Sequence, residues 1–228
     1  MSFKVRKGWI FIKKKKLTCF ARPPQFAKRM AFMLIGIIIQ GFGLAILRRI
    51  DLGVDPCSCL TQGVVNHTGL SFGTCQLLCH IVTFVFVIKF DMSYIGFGTI
   101  GNMCFLGYIS DFFAWLSQSL PAELFTAGAA RYIMLAPGLG GLLFGAALYM
   151  CAGLGASPYD ALPFIISSHI KRLPFKLVRI LWDALFMSAG FLLGGTVGIV
   201  TAAVVLFCGP VVSWVQRRLQ RAFVQVES

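Results

Sequence analysis

The residues best equipped for chemistry are few, and most of them fall inside apolar stretches. His80 and Asp183 each sit about nine residues into a hydrophobic run, His80 after Ser71 and Asp183 after Pro174. At 1.5 Å of rise per helical residue that is a depth of about 14 Å, near the middle of a bilayer core. Gln76 precedes His80 by one helical turn and Arg179 precedes Asp183 by one turn, so each pair shares a helix face. Ionisable groups in hydrocarbon are costly, usually face a bundle interior and mark a substrate or proton path. A histidine changes charge near working pH, which suits proton coupling. His80 and Asp183 are therefore assigned to substrate binding or proton coupling. Arg179 would hold Asp183 charged or neutralise an anionic substrate. The plainer alternative is a structural Arg179–Asp183 pair with His80 bonded to a backbone carbonyl.

A second set of polar residues opens a motif that occurs twice, LGVDPCSCL at 52–60 and LGASPYDAL at 154–162. Asp55 and Ser157 are good N-cap residues, and Pro56 and Pro158 suit the first helical position. The pattern predicts short helices over 56–66 and 158–168, each too short to span a bilayer. Their N-termini, with Asp55, Ser157 and Asp160, carry partial positive charge that suits an anion or a carbonyl group. Short Pro- and Gly-interrupted segments at matching places in two halves point to a transporter site. An amphipathic helix lying at the membrane interface fits the same residues.

These groups need elements to hold them, and composition indicates which. The chain has 228 residues, is 57% hydrophobic and only 13% charged, and its mean hydropathy is +0.81. Soluble domains carry about 25% charged residues, so a soluble enzyme is excluded and lipid is the expected solvent. Apolar runs at 30–47, 71–88, 92–110 and 132–159, with a fifth from about Pro174 and a sixth over 196–214 after Gly194-Gly195, give six expected spans. With the N-terminus in the cytoplasm, all 21 Lys and Arg except Arg48, Arg49 and Arg131 fall on the cytoplasmic side. The net charge of +13 thus follows membrane topology, and no nucleic-acid partner is expected. The basic N-terminal tail, with Trp9, Ile10, Phe11 and Ile12 among its lysines, suits an anionic headgroup layer. No cleavable signal peptide is expected before the first run.

An offset of 102 aligns the two motifs and takes Gly36 to Gly138, Gly43 to Gly145, His67 to His169 and Gly107 to Gly209. GTIG at 98–101 also matches GTVG at 195–198. An offset of 103 takes Gln76 to Arg179 and His80 to Asp183. The chain reads as a basic tail (1–28), a first membrane repeat (29–116), a linker (117–130), a second repeat (131–218) and a C-terminal tail (219–228). Three spans per repeat make the second enter from the opposite side, so the expected fold is all-α, two inverted three-helix repeats. Inverted repeats are a transporter plan with the site at the repeat interface. Gln40, Asn102 and Tyr149 are expected to hydrogen-bond between helices. Asp111, near the end of the third span, is expected to cap or snorkel.

LGASPYDAL, the weaker LGVDPCSCL, HTGLSFGT at 67–74 and the GT-x-G helix resemble the YczE/YitT-like family of bacterial integral membrane proteins, over roughly 29–216. The resemblance implies a duplicated polytopic inner-membrane protein for which transport is the role usually suggested. Cys57-Ser58-Cys59 departs from the family pattern of an aromatic followed by an acid, which Tyr159-Asp160 keeps. The function expected is secondary transport of a small solute or ion through a midplane site bounded by His80, Asp183, Gln76, Arg179, Asp55, Ser157 and Asp160, open to proton coupling. The alternatives are a non-transporting scaffold or assembly partner and, on Cys57, Cys59, Cys75 and Cys79, soft-metal transport. No hydrolase or metalloprotease motif is present, so no enzyme activity, cofactor or resident metal is expected. The expected setting is the bacterial inner membrane with both termini cytoplasmic, and a homodimer is open to it.

Overall fold

The computed structural model describes Phe20, residues 22–170 and residues 173–224. The basic tail with Trp9 to Ile12, the loop cations Lys171 and Arg172, and the side chains of Arg217 and Arg221 lie outside what is described. Among the described residues the fold is all-helical: α1 Phe26–Ile50, α2 Pro56–Thr68, α3 Phe72–Phe90, α4 Phe97–Leu116, α5 Glu123–Thr126, α6 Gly128–Cys151, α7 Pro158–His169, α8 Phe175–Leu192 and α9 Ile199–Val224.

The two short helices start where the capping residues place them. The Asp55 side chain accepts the Ser58 amide with Pro56 in the first turn, and the Ser157 side chain accepts the Asp160 amide with Pro158 in the first turn. Gly69 ends α2 in a left-handed conformation, and Gly194, with φ of 79°, lies in the break that separates α8 from α9. The third long helix starts at Phe97, because Met92–Tyr94 forms a separate 3₁₀ turn held by the Asp91 side chain. α9 runs on to Val224, past the expected end near 214. The expected linker is packed: Phe125 of α5 is buried in the main core, with the Arg49 guanidinium 4.1 Å over its ring.

α1 and α6 form the centre and pack along their lengths, with α4 against α1 and α9 against α6. α2 packs on α8, and α7 packs on α3. Glycines allow the α1–α6 crossing. A Cβ on Gly43 would meet Leu142 N at 2.3 Å and Gly138 O at 2.6 Å; one on Gly145 would meet Gln40 N at 2.4 Å and Gly36 O at 2.7 Å. Backbones this close are a membrane-type helix contact.

These contacts recur at the offset of 102. Gly98 N donates to Leu154 O (2.8 Å), and Val200 N donates to Leu52 O (3.2 Å). Gly96 N donates to Thr99 Oγ1 (3.0 Å), and Gly198 N to Thr201 Oγ1 (3.3 Å). Gly53 and Gly155, with φ of 101° and 114°, pass against those same threonines. The equivalence in the last helix of each half is therefore Gly96 with Gly198 and Thr99 with Thr201. The GTIG–GTVG match is a coincidence of composition, since GTVG falls in the loop before α9.

Among the described residues three helices, α1, α3 and α6, are long and apolar enough to cross a membrane. α8 falls short by composition because it carries Lys176, Arg179 and Asp183. α4, α8 and α9 nevertheless expose large apolar side chains, among them Phe105, Phe112, Leu181, Leu185, Leu206 and Phe207, as α1, α3 and α6 do at Ile35, Val82 and Ile133. A shell this apolar, outside a core that is also apolar, belongs in lipid rather than water.

Candidate functional site

The first turns of α2 and α7 face one another. Cys57 and Tyr159, both in those first turns, pack with Phe186 of α8 in one buried cluster, and Asp55 lies within electrostatic reach of Asp160. The order of acid and hydroxyl is exchanged between the halves. α2 has its acid at the N-cap (Asp55) and serine three residues on (Ser58), whereas α7 has serine at the N-cap (Ser157) and the acid three residues on (Asp160). The first copy thus keeps an acid in the motif, at Asp55 in place of Ser58.

Arg179 of α8 ties the second copy together. Its Nη1 donates to Asp160 Oδ1 at 3.0 Å and its Nε to Asp183 Oδ2 at 3.2 Å. Asp160 Oδ2 also accepts from Ser157 Oγ (2.8 Å) and Tyr149 OH (3.1 Å), and the Ser157 amide donates to that same Tyr149 hydroxyl (3.1 Å). Tyr159 OH donates to Asp183 Oδ1. The Arg179 guanidinium carbon lies 5.1 Å from the Tyr159 ring centroid, and Tyr159, Trp182 and Phe186 pack edge on or tilted against each other. Cys208 of α9 lies within electrostatic reach of Arg179, Asp160, Asp183 and Asp55.

His80 completes the set from α3, which packs on α7. It is 3% exposed, neither ring nitrogen has a hydrogen-bond partner, and Asp160 acts on it electrostatically. The expected carbonyl partner for His80 is therefore absent. Gln76, one turn earlier, stands apart: its Oε1 points at Gly107 of α4 and makes no bond to the acids. Asp183, Arg179, Asp160, Ser157, Asp55 and His80 are brought to one place, and Gln76 is not.

Two expectations change. The helix N-termini are not open to an anion, because Asp55, Ser157 and Asp160 of the chain itself already occupy them. Asp111 caps α3 rather than its own helix: it accepts the first-turn Gly73 amide at 2.7 Å and pairs with Arg48 at 2.9 Å, because α1 and α3 both pack on α4. Asn102 donates to Gln40 as expected (3.3 Å). Tyr159 and Trp182 were not singled out by the sequence as site residues; the aromatic-then-acid pair Tyr159-Asp160 was the available signal. Cys57, Cys59, Cys75 and Cys79 are free thiols, and among the described residues no three His, Cys, Asp or Glu converge as a metal site.

The two faces of the protein differ. A cavity of about 280 Å³ lies between the end of α1, α2, the start of α3, the end of α4 and the α8–α9 loop, lined in part by Gln62, Phe72 and Thr196. At sequence offsets of 102 or 103 from Gln62, Phe72 and Thr196 stand Phe164, Phe175 and Tyr94. There they stack, Tyr94 on Phe164 at 6.0 Å and Phe164 on Phe175 at 4.5 Å between ring centroids.

Comparison with known proteins places this arrangement in a family. The family of unknown function DUF6198 matches residues 27–217, which takes in every helix of the site. The chain belongs to that family. It is 27% identical over 182 residues to a protein of Bacillus subtilis (strain 168) described as "Uncharacterized membrane protein YczE", covering 79% of this chain and 82% of that one. It is 30% identical over 193 residues to an "Uncharacterized protein" of Haemophilus influenzae, covering 82% and 83%. No solved structure matches the chain. A family relative named as a membrane protein and helices apolar enough to span a bilayer make this chain a helical membrane protein.

Proposed function

We propose that the protein is a secondary transporter of a small solute, coupled to protons at the cluster formed by Asp55, Asp160, Asp183, Arg179 and His80. The observation that carries this reading is a charge imbalance around a histidine that has no partner. Two carboxylates, Asp160 and Asp183, share one guanidinium, a third, Asp55, lies within electrostatic reach of Asp160 with no cation bonded to it, and the buried His80 satisfies neither nitrogen. Burying a charge without a counter-charge is costly, so a purely structural cluster would be expected to balance itself. An excess of acids beside an open imidazole is instead suited to taking up and passing on protons.

The architecture that supports this is six spans, α1, α3, α4, α6, α8 and α9, arranged as two inverted repeats with α2 and α7 dipping in to meet at the site. The reciprocal bonds of Gly98 and Val200, and the reciprocal α2–α8 and α7–α3 packing, support that layout. A cavity on one face, against an aromatic stack at the related place on the other, fits alternating access with one mouth closed. By the distribution of Lys and Arg, the membrane is the bacterial inner membrane, the termini are cytoplasmic, and the cavity faces outward. A scaffold role would not need the imbalance, and soft-metal transport has no converged ligand set to use.

The test is a thermal-shift screen of the purified full chain against metabolites, amino acids, anions and metals. A ligand at a hundred times its Kd stabilises the folded state by about 2.7 kcal/mol. A hit that Asp183→Asn abolishes supports the site. A hit whose uptake into vesicles stays proton-coupled in both Asp183→Asn and His80→Ala refutes it, and silence across the panel from a folded sample favours the scaffold.

A further inference from the structure

The cavity on the outward face has a chemistry distinct from that of the acid cluster. Besides Phe72, Gln62 and Thr196, it is lined by Arg48, Arg49, Asn66, Val65 and Ala114. Arg48 is balanced by Asp111. Of the other charged groups nearby, Arg131 donates to the carbonyls of Ile50 and Asp51, and the Asp51 carboxylate accepts from Thr196 Oγ1. Arg49 has no carboxylate partner among the described residues. One of its nitrogens, Nη1, donates to Ser117 O, and its flat face lies on Phe125. A guanidinium carries five N–H donors, so Arg49 brings a held positive charge and spare donors to the wall of the cavity. The amides of Gln62 and Asn66 are fixed by the α8–α9 loop, through Thr196 N and Gly194 O, which gives the rim a set shape. Val65, Phe72 and Ala114 supply an apolar wall. About 280 Å³ is room for a small organic molecule rather than a bare ion.

We propose that this cavity binds a small organic anion, with its carboxylate on Arg49 and its apolar body against Val65, Phe72 and Ala114. Guanidinium–carboxylate pairing is directional and charge-assisted, and the apolar wall favours a ring or short alkyl group over a bare inorganic ion. Taken with proton coupling at the acid cluster, the anion is the solute that enters from this face. That role rests on the transport reading, but the binding itself does not.

The experiment is calorimetric titration of the purified full chain with benzoate, and with benzyl alcohol as a neutral molecule of nearly the same shape. The expected result is benzoate binding that benzyl alcohol does not reproduce. Arg49→Gln weakens it at least tenfold, and Ala114→Phe abolishes it by filling the cavity from α4. Absence of benzoate binding to the wild-type chain overturns the proposal, as does equal binding of the alcohol. Undiminished binding in a folded Ala114→Phe variant overturns it too, whether or not Arg49→Gln folds. Benzoate binding with no flux in reconstituted vesicles would sink the transport reading and leave the anion site standing; proton flux without benzoate binding would do the reverse.

Discussion

Replacing Arg179 separates a charged cluster from a merely polar one. Its guanidinium pairs with Asp160 and Asp183 at once, and its side chain is 25% exposed while that of Asp183 is 6% exposed. Arg179→Met keeps most of the volume and the contact with Tyr159 but leaves both carboxylates without a counter-charge. Removing one partner of a buried ion pair costs about 3–5 kcal/mol, because the other is left buried and unpaired. At about 2–4 °C per kcal/mol for a chain of this size, the unfolding midpoint should fall by about 10 °C. Adding Asp183→Asn to Arg179→Met removes one of the two stranded charges and should recover about half of that loss. Residues in one network couple by roughly 0.5–3 kcal/mol, so the two changes together cost less than Arg179→Met alone. The assay is thermal unfolding of the detergent-purified variants by intrinsic fluorescence, with expression checked alongside. An Arg179→Met midpoint within about 2 °C of wild type, or a double variant no better than Arg179→Met, would show that the acids do not depend on Arg179.

Other outcomes follow from the same geometry. Gly43→Ala and Gly145→Ala each force apart the α1–α6 backbones and should cost at least about 1–3 kcal/mol, while the double variant costs less than the sum because one separation relieves both clashes; unfolding midpoints decide it. His80→Ala and Asp183→Asn should each abolish solute flux with expression intact, since removing an acid from a cluster with too many, or a ring with no partner, strands nothing. Full flux in both would remove the site. Phe164→Ala takes the middle ring out of the Tyr94–Phe164–Phe175 stack and should raise the rate at which a small maleimide labels Cys57, a buried thiol, from that face; an unchanged rate would show that the stack does not close a path.

Local features of this chain were legible because their physics is local. Asp55-Pro56 and Ser157-Pro158 cap and start helices with their neighbours alone, and Arg179 and Asp183 meet because they are one turn apart on one helix. Gly194-Gly195 broke the last apolar run as expected. The second carboxylate partner of Arg179 was not legible, since Asp160 reaches it only through the packing of α7 on α8. The anion-ready helix ends failed for a related reason: the cap residues Asp55 and Ser157, with Asp160 bonded to Ser157, fill the sites they create. Asp111 was misjudged because Arg48 comes to it from another helix. Gly36, Gly43, Gly138 and Gly145, which match at one offset, pack backbone to backbone, whereas the GT-x-G match joins a helix to a loop, where small residues recur for separate reasons. The exchange of acid and serine between Asp55-Ser58 and Ser157-Asp160 was visible in the letters, but it gained meaning only once the two helix starts were seen to face each other.

The central claim is that the acid cluster with His80 moves protons with a solute. The most direct measurement is proton uptake by vesicles containing the purified chain, read with an internal pH dye, with an outward-to-inward gradient of a solute that the thermal-shift screen identifies. Solute-driven acidification in wild type that falls at least tenfold in Asp183→Asn and in His80→Ala, with both variants folded, is the predicted result. Solute movement with no pH change, or acidification undiminished in both variants, would contradict it.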